Sequence, residues 1–308
     1  MRLTPLVLPA IGLLFCAAGA PVARALDVLF VGNSFTHGTV SPVSGFNAAA
    51  ITDANGGGQG GVPGIFKALA DEGGRSDVNV TIEAVSGQGL SYHLANKLPV
   101  IDTSWDVVVL QDYSTRPLST HPSGDIAAFR SSVSDIADVL RAQNPDVQIF
   151  LYETWARPDQ VPGVYASLAA MQAELNDAYF AAAADFSLAG AVGVGSAFIQ
   201  ALDTGVAYDP DAGAEAGKMN LWAPDNYHAS AAGSYLASLM FYQAILGGDA
   251  TALPDSTGSA ATVLGLTETQ AGALQNVASA AAIPEPGASA AIAATLVLGW
   301  VAARRRRV

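Results

Sequence analysis

The chain has 308 residues, of which 51% are hydrophobic and 13% charged, and a formal net charge of −13 at pH 7. That acidic balance repels phosphate backbones and anionic lipid headgroups, which excludes a nucleic-acid binder. The length suits one large domain with accessory ends. Four histidines with neither an HExxH motif nor a close His pair argue against a zinc hydrolase, and the one cysteine has no partner in the chain for a disulfide.

Residues 1–25 combine Arg2, an apolar stretch through Ala20 and an A-x-A site at Ala23-Arg24-Ala25. They read as a secretory signal peptide, with the mature chain starting near Leu26. A retained membrane helix is the alternative, and the apolar stretch is short for a span. Cys16 lies within this segment behind Phe15, where a lipoprotein signal would place a small residue. Residues 26–283 then hold no cysteine and carry a net charge of about −18, since six of the basic residues and only Glu285 among the acidic ones lie outside them. Solubility accounts for such acidity.

"LDVLFVG" (26–32) is a near-continuous apolar run, as in a strand covered on both faces, and it delivers Ser34 just past Gly32. "ITDANGGGQGG" (51–61) lacks the Lys-Ser/Thr of a phosphate loop and reads as a flexible insert near the site. A helical pattern at 63–74 ends in glycines. Strands are expected at 79–86, 106–111 and 147–154. Between the last two, Ile126, Phe129, Val133, Ile136 and Leu140 recur at helical spacing and stop before Pro145. The pattern repeats at 163–184, and "AGAVGVGSAF" (189–198) fits a fifth strand running into a loop. The acidic, Gly/Ala-rich segment 208–217 matches no EF-hand spacing and reads as a mobile loop rather than a calcium site. Residues 230–248 form a last core helix. Residues 249–283 read as a linker with one further helix, which starts at a capping box of Thr267 and Gln270.

This alternation predicts an α/β domain over 26–248, with a parallel sheet of about five strands flanked by helices. Ligands of such sheets bind outside the carboxyl ends of the strands, where Ser34 falls.

The chain ends with "IPEPG" (283–287), an apolar stretch at 288–303 and four arginines at 304–307. The stretch is about 16 residues, roughly 24 Å as a helix, and so a marginal span. The arginines should hold their end in the cytoplasm. Residues 284–308 together resemble the PEP-CTERM sorting signal of Gram-negative bacteria. The resemblance implies transient membrane anchoring, recognition by an exosortase, cleavage near the motif and a final place at the cell surface or outside it. Such organisms often make exopolysaccharide. A simple tail anchor is the alternative.

A serine hydroxyl needs a base within hydrogen-bond reach, and an imidazole serves when a carboxylate fixes its tautomer. Asp225 precedes His228 by three residues, directly ahead of the last core helix, so its carboxylate can turn back to the ring. Taken alone, Asp225 also fits a turn aspartate, His228 a surface histidine and Ser34 a helix N-cap. Four blocks nevertheless occur in order, each beside a predicted element: "VGNSFT", "AVSGQGL", "VVVLQDYS" and "PDNYH". The arrangement over 26–248 resembles the SGNH (GDSL-like) hydrolases. That family is flavodoxin-like, with three α/β/α layers, and acts as esterases, lipases and carbohydrate deacetylases. The resemblance implies Ser34 as nucleophile, in a Gly-Asn-Ser rather than the usual Gly-Asp-Ser. It implies Asp225 and His228 as the rest of a triad, and the N–H groups of Ser34 and Gly87 as oxyanion donors, with Gly89 a close competitor. The third block departs from the family's Gly-x-Asn-Asp. Gln111 is the expected third donor and Ser114 its rival.

The expectation is an exported serine esterase acting on an acyl ester, carbohydrate-linked by analogy with the family, with no metal or organic cofactor. A non-catalytic glycan-binding surface or matrix protein on the same fold is the alternative. A long-chain lipase ranks lower, because no long apolar lid is visible.

Overall fold

The computed structural model describes residues 24–281. The apolar runs become six parallel strands: β1 Leu26–Gly32, β2 Thr52–Asp53, β3 Val78–Ala84, β4 Val107–Leu110, β5 Gln148–Tyr152 and β6 Gly190–Val192. They lie in the order β2-β3-β1-β4-β5-β6. Leaving aside the two-residue β2, this is the doubly wound order 2-1-3-4-5. The central strands carry Val28, Leu29, Phe30, Val107, Val108, Val109 and Leu110, all buried, because helices cover both faces.

The helices are α1 Ser34–His37, α2 Gly61–Glu72, α3 Leu90–Asn96, α4 Leu98–Ile101, α5 Ile126–Gln143, α6 Leu168–Asp185, α7 Val194–Asp203, α8 Ala231–Leu246, α9 Ala260–Val263 and α10 Glu268–Ala280. Helix α2 packs against α8, and α5 packs against α3 and α6. The chain leaves β1 toward β3 on one side and reaches β4 on the other, so the strand order reverses at β1. The crevice at that reversal is where doubly wound folds bind ligands, and both Ser34 and Gln111 follow strands that border it.

Three details differ from the sequence reading. The glycine-rich stretch 51–61 is ordered and supplies the sixth strand, with Thr52 and Asp53 pairing with Thr81 and Ile82. Asp53 closes the turn by accepting from the N–H groups of Asn55 at 2.8 Å and Gln59 at 3.0 Å. The glycines that end the stretch serve close packing: a Cβ on Gly60 would stand 1.9 Å from the Phe46 carbonyl oxygen. Secondly, β6 runs into helix α7 rather than a loop, and the Glu153 carboxylate accepts from the Ser196 N–H at 3.0 Å in its first turn.

Thirdly, residues 249–281 are no free linker. The capping box at Thr267 and Gln270 does start a helix, α10. Leu253, Leu264, Leu266 and Leu274 are buried, and α10 packs on α8. Gln275 Nε2 donates to Tyr235 Oη and to the Leu253 carbonyl, both at 3.2 Å. The buried leucines make the difference, since a solvated linker has no use for them.

Among the described residues no helix is long and apolar enough to cross a membrane. The expected signal peptide up to residue 23 and the sorting segment 284–308 lie outside them. Leu274→Ala should lower unfolding free energy by about 2–5 kcal/mol, as for a fully buried leucine. Urea unfolding of the variant with an unchanged midpoint would return 249–281 to linker status.

Candidate active site

Strand β1 ends in the turn Gly32-Asn33-Ser34, which opens the single helical turn α1. Gly32 is required for space: a Cβ there would meet Thr36 Oγ1 at 2.2 Å and Gln111 Oε1 at 2.6 Å. Asn33 caps α1 by accepting the Phe35 N–H on its side-chain oxygen at 3.1 Å. Its Nδ2 donates to the Gln88 carbonyl at 2.8 Å and toward the Asp112 carbonyl at 3.5 Å. An aspartate could make the cap but would set a charged oxygen against those two carbonyls. This gives the asparagine in Gly-Asn-Ser a physical reason.

Ser34, His228 and Asp225 meet, although 194 positions separate the first two. Ser34 Oγ is 2.9 Å from His228 Nε2. His228 Nδ1 is 2.7 Å from Asp225 Oδ2. An ionised carboxylate can only accept, so Nδ1 carries the proton and Nε2 accepts from the serine hydroxyl. The loop is pre-shaped for this. Asp225 Oδ1 accepts from the N–H groups of Tyr227 and His228, both at 3.0 Å, and Asn226 sits at φ 53°, a left-handed position that asparagine tolerates. Burial alone would raise the Asp225 carboxyl, but the hydrogen bonds from His228 and Tyr227 outweigh it and hold it below the usual carboxylate range.

Aromatic packing fixes Ser34 and His228 together. Phe35, next to Ser34, stacks on Trp155 with centroids 4.3 Å apart and meets His228 edge-on at 5.7 Å. Trp155 Nε1 donates to the Tyr227 carbonyl at 3.0 Å. The buried Arg157 guanidinium lies 3.7 Å from the Tyr227 ring centroid and is neutralised by Asp159, 2.9 Å from its Nε. Nothing in the sequence marks Trp155 or Arg157 as neighbours of His228, because only the fold brings the end of β5 beneath that loop.

The backbone N–H groups of Ser34 and Gly87 donate to no partner among the described residues. Gly87 is exposed at φ 74°, whereas Gly89 is buried, with its missing Cβ position 2.3 Å from Asp112 Oδ1. That separates the two glycines: Gly87 is open to a ligand and Gly89 makes room for a carboxylate. Burial pushes the Asp112 carboxyl up, against the N–H groups of Leu90 and Tyr113 that hydrogen-bond to it.

Gln111 does not face a ligand, contrary to the expectation of a third oxyanion donor. Its side chain is fully buried. Oε1 accepts from the Asn33 N–H at 2.9 Å and Thr36 Oγ1 at 3.0 Å, and Nε2 donates to the Asp112 carbonyl. Two donors converge on one atom of the amide, so that atom is the oxygen and the amide orientation follows. Gln111 braces the Gly32-Asn33-Ser34 turn from below. The rival Ser114 is also buried, and its hydroxyl accepts from Arg157 Nη1 at 3.0 Å.

The sequence reading also passed over His37. It lies three residues after Ser34 in α1, so the two share a face, and that spacing was the available signal. Its Nδ1 is 2.7 Å from the Gly38 carbonyl and its Nε2 is 2.8 Å from Ser86 Oγ. Burial lowers its pKa, opposed by the Gly38 hydrogen bond and assisted by the nearby His228.

The model of the GDSL-like Lipase/Acylhydrolase family matches residues 30–236. Solved structures share the fold. A DUF4886 family protein from Bacteroides uniformis superposes with a TM-score of 0.56 at 16% identity, over 85% of this chain and 98% of its own. A protein assigned as a GDSL-like lipase from Parabacteroides merdae gives a TM-score of 0.50 at 15% identity, over 72% of this chain and 95% of its own. An SGNH hydrolase candidate from Slackia heliotrinireducens is 24% identical, with a TM-score of 0.47 over 72% of this chain and 100% of its own. A search of curated proteins finds no match.

Gln111→Ala should destabilise the fold by about 1–3 kcal/mol, because it strands the buried Asn33 N–H and Thr36 hydroxyl. Chemical denaturation reads this directly. An unchanged midpoint with a fall in kcat alone would restore Gln111 as a ligand-facing donor.

Proposed function

The chain belongs to the GDSL-like Lipase/Acylhydrolase family, and from that membership we propose that it is a serine esterase with Ser34, His228 and Asp225 as its catalytic triad. The observation that carries the reading is the continuous hydrogen-bonded line from Ser34 Oγ through His228 to Asp225. Ser34 Oγ attacks the ester carbonyl as His228 Nε2 takes its proton. Asp225 stabilises the imidazolium and holds the Nδ1–H tautomer. The tetrahedral oxyanion accepts from the N–H groups of Ser34 and Gly87, and the support for this is that neither has another acceptor in the described residues. Collapse expels the alcohol, which takes the proton from His228. Water then attacks the acyl carbonyl as His228 takes its proton, and collapse breaks the bond to Ser34 Oγ, which takes that proton back and releases the acyl group as a carboxylic acid. No step calls on a metal or organic cofactor.

Two donors rather than three should lower the rate, since one oxyanion donor contributes about 10²–10³. That shortfall favours an activated or sterically accessible ester, and it is what keeps a non-catalytic, glycan-binding reading in play. The substrate class proposed is an acyl ester on carbohydrate. It rests on the family and on the exopolysaccharide setting implied by the tail, and fold-level analogy does not select among esters.

Export is part of the same proposal. Its support is sequence alone: the leader at 1–25, and Pro284-Glu285-Pro286 ahead of an apolar stretch and four arginines.

Ser34→Ala should abolish both turnover of p-nitrophenyl acetate and labelling by a fluorophosphonate, with the circular dichroism spectrum unchanged. Labelling of wild type at another serine would sink the assignment, and a wild type that neither labels nor turns over would favour the glycan-binding reading. In a host with an exosortase, intact mass of the exported protein should lack residues 284–308, and a retained tail would refute the sorting proposal.

A further inference from the structure

The strand-end loop that carries Gly87 is held by two side chains, and both come from the nucleophile turn. Asn33, just before Ser34, donates through Nδ2 to the Gln88 carbonyl at 2.8 Å. His37, three residues after Ser34, meets Ser86 Oγ at 2.8 Å. Residues 86 and 88 flank Gly87, so the loop is gripped on either side of its one ligand-facing N–H. This matters because Gly87 is at φ 74°, with no atom near its vacant Cβ position and no partner for its N–H. A turn bond from the Gln88 N–H to the Val85 carbonyl, 3.1 Å long, shapes the loop around Gly87, and the two side chains tie that turn to the rest of the site.

His37 is suited to the task. Its Nδ1–H donates to the Gly38 carbonyl, which leaves Nε2 as an acceptor for the Ser86 hydroxyl. The ring is buried at 7% exposure, while Ser86 is exposed. Its backbone is immovable from behind, because a Cβ on Gly61 would stand 2.5 Å from the His37 Cα. A rigid acceptor beside Ser34 therefore meets a hydroxyl on an exposed turn.

Resting on the serine esterase reading above, we propose that His37 is a positioning residue: through the Ser86 hydroxyl it sets the Gly87 N–H against the developing oxyanion. Ser34 and Gly87 then present their N–H groups at a separation fixed by α1 itself. Small misplacements of a preorganised donor are expensive at the transition state and nearly silent in the ground state.

The test uses the full purified chain with p-nitrophenyl acetate as substrate and phenylboronic acid as a reversible tetrahedral mimic. Ser86→Ala alters an exposed residue and should fold. Its kcat should fall about 10-fold with little change in KM, and its affinity for the boronic acid should weaken by a similar factor. Ser86→Thr, which keeps the hydroxyl, should recover most of both. His37→Ala should show the same defect, and the double variant should be no worse than His37→Ala alone. An unaltered kcat in Ser86→Ala, or losses that multiply in the double variant, would overturn the proposal while leaving the triad intact. Persistent turnover in Ser34→Ala would instead overturn the esterase reading on which it rests.

Discussion

The hydrogen bond between Ser34 and His228 joins two ends of the domain, and it forms only because the first strand and the last core helix deliver their flanking loops to one edge of the sheet. Strand β1 is central, paired with β3 on one side and β4 on the other, so its carboxyl end cannot shift without breaking two ladders. The Asp225–His228 loop arrives from the opposite end of the sequence. It is placed by Trp155 and Arg157 from the end of β5 and by α8, which starts at Ala231. A hydroxyl on a fixed strand and an imidazole on a braced loop form a pair that needs no rearrangement to meet.

Beneath that pair lies a dry polar brace. Gln111, Thr36, Asn33 and Asp112 are almost fully buried, and each is hydrogen-bonded. Buried polar groups are costly when any member goes unpaired and rigidifying when all are satisfied. Here the network spends its donors and acceptors on backbone groups of the nucleophile turn and of the loop after β3. This is why the residue at the end of β4 is withdrawn from the ligand: its oxygen serves Asn33 and Thr36 at once, and facing outward would leave both without an acceptor.

Much of this was legible in the residues. The apolar runs placed four strands to within a residue or two, because strands covered on both faces leave a dense signal. That Ser34, Asp225 and His228 would lie together was legible because Ser34 ends a strand at the sheet's carboxyl edge and Asp225 and His228 are close in sequence. What stayed hidden depends on contacts distant in sequence. Gln111 and Asn33 are 78 positions apart, and no local pattern tells whether a glutamine at a strand end faces outward or inward. Residues 249–281 misled through composition: small residues suggested a linker, while Leu253, Leu264, Leu266 and Leu274 find a ready hydrophobic surface on α8 and its neighbours. The glycine-rich stretch misled in the same manner, since glycine serves close contact as readily as freedom.

That stretch has a consequence for how such a site can change over time. Behind α1, the chain at Gly60 and Gly61 lies directly on the Phe46 and His37 main chains, where even a methyl group would collide. The rear of the Ser34 turn is therefore closed to sequence drift. Novelty has to enter from the side of Tyr227, where half-exposed Tyr113 tolerates replacement. A lineage carrying this architecture would diversify on one wall of the crevice and stay frozen on the other.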